Sequence, residues 1–362
     1  MARNVYMEEL NESTYFPDEY AGIADNFFQA YRIESWTVCP GEKMRIKKNG
    51  RVLVCRFCGK TSEEVKFGYA HVLSELLGNR YLVSDFECDS CNKLFGGNED
   101  QLSKFLGMAR TVLFAKGKEK VPTFKSDGIR METSVDNHGD SWLHISRDSA
   151  SGNISYDLVT GSVKVTGIKQ SYVPQAVYKA LVKMALSCVS DQVVQDYRLG
   201  LDYIRGVGYE EAGGVFARTV IRYTFPPAFR YERPTVYIFK KRDPDALLFN
   251  RVFLLFALNY IYILPIPFDL EDMKHGGGSL ELVPPPPIFT NKYHFPTSAI
   301  LREIMDLSSL EIVKNDVDAI YISGRPGEKP FGFVYDNGTS GVSDRVFDVN
   351  DIERISIKRV LL

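Results

Sequence analysis

Two Cys-x-x-Cys pairs constrain this chain more than any other feature. Cys55-Arg-Phe-Cys58 and Cys88-Asp-Ser-Cys91 are separated by 29 residues. Each pair can form one tight knuckle. Two knuckles supply four thiolates in a tetrahedron, the geometry of a structural zinc site. Gly59, directly after the first pair, suits the sharp turn of a knuckle. A redox pair expects a thioredoxin-like βαβ context, which the flanking sequence lacks. Zn²⁺ held by Cys55, Cys58, Cys88 and Cys91 is therefore expected. Cys39 and Cys188 stand alone and read as small apolar residues. Six cysteines in 362 residues are too few for a disulfide scaffold.

Composition narrows the class without naming a function. Hydrophobic residues make up 44% and charged residues 25%, which excludes collagen-like, coiled-coil and wholly disordered chains. The net charge of -2 carries no basic signature of nucleic-acid binding. Its distribution does. Residues 1–39 carry an excess of five acids. Residues 40–66 and 103–125 each carry an excess of five basic residues, so two basic blocks flank the cysteine cluster. Met1–Asn11 mixes Arg3, Glu8 and Glu9 with short apolar residues and lacks the apolar core of a signal peptide. The longest apolar stretch, Val252–Pro267, falls short of the roughly 20 residues that span a bilayer. It reads as a buried strand pair. A cytoplasmic protein with reduced thiols is the expectation.

Periodicity predicts an α+β fold. Trp142–Ile145, Ile154–Leu158 and Ser162–Val165 alternate as strands between tight turns. Pro174 opens the strongest helix, with Val177, Leu181, Met184 and Cys188 at helical spacing. Asp191–Ile204 follows as a second helix capped by Ser190. Arg218–Tyr223, Thr235–Phe239, Val252–Tyr262, Ala319–Ser323, Phe331–Val334 and Ile355–Val360 return to strand character. His275–Ser279 and Pro284–Pro287 read as loops. Length alone predicts about two domains. The change of texture near residue 120 divides them into 1–120, holding the cysteines, and a larger mixed domain over 121–362.

The gap between the cysteine pairs exceeds the 15–20 residues of a plain ribbon. It holds Ala70-His71 and Leu76-Leu-Gly-Asn79. Asn92 follows the last cysteine, and Phe95-Gly96 and Glu99-Asp100-Gln-Leu102 open an amphipathic helix. In this order and spacing the motifs over residues 50–110 resemble the zinc-knuckle branch of the HNH endonuclease family, a ββα-metal fold. Tyr172–Ser187 is similar to a segment downstream of such domains in uncharacterised bacterial proteins. The resemblance implies hydrolysis of phosphodiester bonds, with His71 as the base that activates water and Asn92 as a ligand of a catalytic Mg²⁺ or Mn²⁺. The family residue that orients the base is usually an asparagine, and Asp85 is the best-aligned position. The acidic metal ligand common before the histidine is replaced by Ala70, so another carboxylate is needed. Glu99 is the first candidate, then Asp100 and Glu75.

The basic block before the site suggests phosphate contacts by Lys47, Lys48, Arg51 and Arg56. DNA is the expected substrate, with RNA an open alternative. The region beyond residue 150 carries no catalytic motif. It is expected to regulate the nuclease through a partner, a ligand or oligomerisation, an arrangement seen by analogy in bacterial anti-phage systems. The competing reading is a non-catalytic, zinc-dependent nucleic-acid-binding or scaffold protein.

Overall fold

The computed structural model describes residues 14–46, 52–117, 119–147, 153–157, 162–207, 218–227, 229–275, 280–289, 296–323 and 354–358. The chain forms two compact units, each made of two segments: Met1–Leu102 with Val173–Glu311, and Ser103–Tyr172 with Ile312–Leu362. The cut expected at residue 120 coincides with none of the three boundaries between these segments. The physical reason lies in the Pro174 helix. Its buried side chains pack on the cysteine region, so the contacts of that region reach far beyond residue 120.

The first unit is built on a six-stranded antiparallel sheet. Its members are β1 (Tyr31–Val38), β10 (Thr219–Thr224), β11 (Thr235–Lys241), β12 (Arg251–Ala257), β13 (Tyr260–Pro265) and β14 (Leu301–Asp306). Their order is β1-β11-β12-β13-β10-β14. The apolar stretch after residue 250 is the β12–β13 hairpin at its centre, as a buried strand pair requires. Val252, Leu254 and Phe256 join a core with Phe27 and Phe28 of helix α1 (Ala21–Ala30). Phe253 and Leu255, on the opposite face by strand alternation, are also fully buried. Burial of both faces explains why this segment shows no alternating pattern.

Helix α4 (Pro174–Cys188) occupies the predicted span, with Pro174 in its first turn. The second predicted helix divides into a 3₁₀ turn, Val193–Tyr197, and α5 (Arg198–Arg205). Ser190 Oγ accepts from the Val193 N–H at 3.3 Å, the local bond expected of a capping serine. A small sheet of β2 (Met44–Ile46), β3 (Ala70–His71) and β4 (Leu82–Ser84) completes the cysteine region. β4 is central, parallel to β2 and antiparallel to β3. Helix α2 (Asp89–Phe105) follows β4.

The second unit holds α3 (Ala109–Val112) and two antiparallel sheets. One runs β16 (Arg354–Lys358), β7 (Ser141–Arg147), β6 (Ile129–Val135), β5 (Phe124–Ser126). The other runs β15 (Val317–Ser323), β9 (Ser162–Ile168), β8 (Ile154–Asp157). Met131, Ile145, Val163, Val165 and Ile355 form its core with Met108. The strand expected at Phe331–Val334 lies outside the described residues. Among the described residues, no helix is long and apolar enough to cross a membrane.

Candidate metal centre and nuclease site

The first knuckle is shaped by its own backbone. The Cys55 N–H donates to Lys60 O at 2.8 Å and the Gly59 N–H to Cys55 O at 2.9 Å. Gly59 adopts φ +74°, a conformation that glycine takes at least cost. The second pair lies where α2 begins, and the Asn92 N–H donates to Cys88 O at 2.9 Å. Phe57 and Phe95 pack edge to face at 4.8 Å, joining the two knuckles.

This brings the four Sγ atoms within 4.8 Å of one another. Cys55, Cys88 and Cys91 are buried and Cys58 is half-buried. The Cys91 thiol donates to Cys55 and, with the backbone N–H groups of Cys88, Cys58 and Phe57, pulls the Cys55 pKa down to about 4. A thiolate is favoured here, the form that binds metal. Four thiolate donors at this spacing suit Zn²⁺, so the cysteines can hold the expected ion.

His71 lies on β3 opposite Val83 of β4, with its side chain 27% exposed. Its Nε2 is 3.4 Å from Glu75 Oε1, one turn onward in the chain. Its backbone carbonyl accepts from Lys183 Nζ of α4 at 2.9 Å. The same ammonium sits 3.0 Å from Glu87 Oε2, and both side chains are fully buried. Burial raises the Glu87 pKa, and Lys183 opposes that shift.

Between β3 and β4 the chain is pinned by Asn79, which is wholly buried. Its Nδ2 donates to Leu73 O at 2.7 Å and to Leu82 O at 2.9 Å. Its Oδ1 accepts from the Tyr81 N–H at 3.2 Å and the Leu82 N–H at 2.9 Å. One side chain thus replaces the hydrogen-bond partners that a loop lacks. Asp89 in the first turn of α2 accepts from the Gly68 N–H at 2.7 Å, fixing the entry to β3.

The remaining predicted site residues lie on α2 and just after β4. Glu99 Oε2 accepts from Ser74 Oγ at 2.7 Å, tying α2 to the loop after His71. Asn92 and Asp100 are exposed on α2. Asp85 follows β4, buried, and its Oδ2 is 3.2 Å from Arg45 Nη2. Among the described residues, the four cysteines are the one group of three or more His, Cys, Asp or Glu whose ligand atoms come close enough for a metal.

The nucleic-acid face also differs from expectation. Arg56, expected to meet phosphate, is 5% exposed at its side chain. Its Nη1 donates to Leu186 O, Ser187 O and Val189 O, each at 3.0 Å, and its Nη2 to Asp191 Oδ1 at 2.7 Å. The guanidinium caps the carbonyl end of α4, where a cation opposes the helix dipole, and it packs over Phe86. Lys47, Lys48 and Arg51 lie outside the described residues. Two cations from the same block gather elsewhere. Lys43 Nζ stands 4.4 Å and Arg45 Cζ 4.8 Å from the ring centre of Tyr69, which is 56% exposed and two residues before His71.

Sequence reasoning missed Asn79, Lys183 and Tyr69. Asn79 stood in the motif Leu76-Leu-Gly-Asn79, and an asparagine after glycine between two strands is a turn signal. No local signal pairs Lys183 with a carboxylate 96 positions earlier in the chain.

Residues 55–105 match the family described as HNH endonuclease. No curated protein and no solved structure matches the chain. The match spans both knuckles, β3, β4 and α2, so the chain carries a ββα segment similar to the HNH endonuclease family.

Proposed function

We propose that the chain is a zinc-stabilised endonuclease that cleaves DNA, with His71 as its general base. The carrying observation is the half-exposed His71 imidazole beside the Glu75 carboxylate, inside the family-matched segment. A neutral imidazole takes a proton from water near neutral pH, and a neighbouring carboxylate orients it and stabilises the imidazolium that forms. Lys183 holds the carbonyl of the base itself, and Asn79 holds the loop that follows it. The carboxylate of Asp85, the residue expected to orient the base, is paired with Arg45.

Cys55, Cys58, Cys88 and Cys91 would hold the zinc, and that ion contributes folding free energy rather than chemistry. Among the described residues, His71 joins no group of three or more His, Cys, Asp or Glu close enough to hold a catalytic Mg²⁺ or Mn²⁺. Asn92 is the family-matched oxygen donor, and substrate phosphate oxygens would supply others. Lys43 and Arg45, steadied by Tyr69, are the cations best placed to meet a phosphate backbone beside His71. Regulation by the rest of the chain is supported by the grip of α4 on this segment.

Glu99, bound by Ser74, and Ala70, without a donor atom, favour the second reading, a nucleic-acid-binding module without catalysis. Incubation of the zinc-loaded protein with plasmid DNA and Mg²⁺ or Mn²⁺ separates the two. The nuclease reading expects cleavage that His71→Ala lowers by roughly 10²–10⁴-fold. Cleavage that survives the substitution removes His71 from the mechanism. Salt-sensitive binding without cleavage under either metal supports the second reading.

A further inference from the structure

The six-stranded sheet of the first unit has two edges of different kind. At one lies β1, whose register against β11 shifts between Ile33 and Ser35. A bulge of this sort keeps an edge from pairing further. At the other lies β14, which among the described residues pairs with β10 alone. Its register is unbroken from Leu301 to Asp306, and it contains neither proline nor glycine. Leu301 and Ile304 are 60% and 67% exposed. An unguarded edge with exposed apolar side chains is a template for another strand.

Backbone geometry decides which groups of β14 are available. The Leu307 N–H donates to Arg218 O at 2.9 Å, so these two residues form a hydrogen-bonded pair that continues the β10–β14 register. By alternation, Leu301, Glu303 and Met305 turn their N–H and C=O groups toward β10. Arg302, Ile304 and Asp306 turn theirs outward, and their side chains share one face. Glu303, on the other face, is bound within the sheet by Arg222 at 2.7 Å. The outward residues read cation, apolar, anion along the strand, a pattern complementary to its own reverse. An antiparallel copy with Ile304 opposite Ile304 sets Arg302 opposite Asp306 on both sides of that centre. This is the register that pairs all three outward residues, and in it the facing charges are opposite.

We propose that β14 is a self-pairing edge, through which two copies of this chain join their six-stranded sheets as antiparallel strands about a two-fold axis at Ile304. A contact that uses the same patch on both copies closes at two and leaves no β14 edge free. The contact uses no residue of the cysteine region and does not depend on nuclease activity.

Sedimentation of the full-length, zinc-loaded protein over a concentration series tests it. Wild type is expected to form a dimer that dissociates on dilution. Ile304→Lys sets two ammonium groups face to face on the axis and should raise the dimer Kd by about tenfold or beyond. Arg302→Asp turns both facing pairs into like charges and should weaken the dimer to a similar degree. Adding Asp306→Arg to that variant restores opposite pairs and should bring the dimer back, a rescue that another register does not give. Circular dichroism of each variant checks that the chain is folded. Ile304 is exposed, so Ile304→Lys decides the matter if the double variant does not fold. A wild type that stays monomeric throughout, a dimer that Ile304→Lys leaves unchanged, or a folded double variant that stays monomeric would each overturn the pairing. A mass that grows without limit, as β14 meeting β1 of the next copy would give, would overturn it as well.

Discussion

Asn79 shows how much one buried side chain can organise. It satisfies two carbonyls and two N–H groups of the loop between His71 and β4. Alanine there leaves those groups buried without partners. Asn79→Ala should destabilise the protein on the order of 3 kcal/mol, read from denaturant midpoints. Cleavage should fall with it, although Asn79 touches no reacting atom. Unchanged stability would mean that water replaces the amide. Asp85, by contrast, is held to Arg45 and stands as part of the framework under Tyr69.

Among the elements, α4 binds the nuclease segment most directly. Its carbonyl end is capped by Arg56 from the first knuckle, and its Lys183 reaches Glu87 and the His71 carbonyl. Ser74 adds a contact through its N–H to Met184 Sδ at 3.4 Å. Lys183→Ala strands a buried carboxylate and should cost about 3–5 kcal/mol in urea unfolding. The double variant Lys183→Met with Glu87→Leu should recover most of that loss, because a buried pair exchanged for apolar groups is often neutral. A single variant as stable as wild type would show that Glu87 takes up a proton at little cost.

Across the whole molecule, the sequence was most legible where chemistry is local. The knuckles, the His71 strand and the α4 span follow from spacing, turn residues and periodicity. The unit boundaries do not, because they depend on contacts between residues 56–87 and 183–191 that no local pattern encodes. Arg56 illustrates the limit. In a list of charges it belongs to a basic face, yet its position against α4 makes it a helix cap. The same reasoning predicts that a fragment of residues 1–120 will not unfold cooperatively, even with zinc, when followed by circular dichroism. A fragment that binds zinc and melts in one sharp transition would contradict this.

The grip of Lys183 and Asp191 on the cysteine region has a temporal consequence. Synthesis runs from the N-terminus, and segments fold in the order in which they emerge. The cysteines leave the ribosome well before α4 does. On a half-made chain, Arg56 and Glu87 have none of their α4 partners. The strand that carries His71 is therefore secured only once residue 191 has emerged.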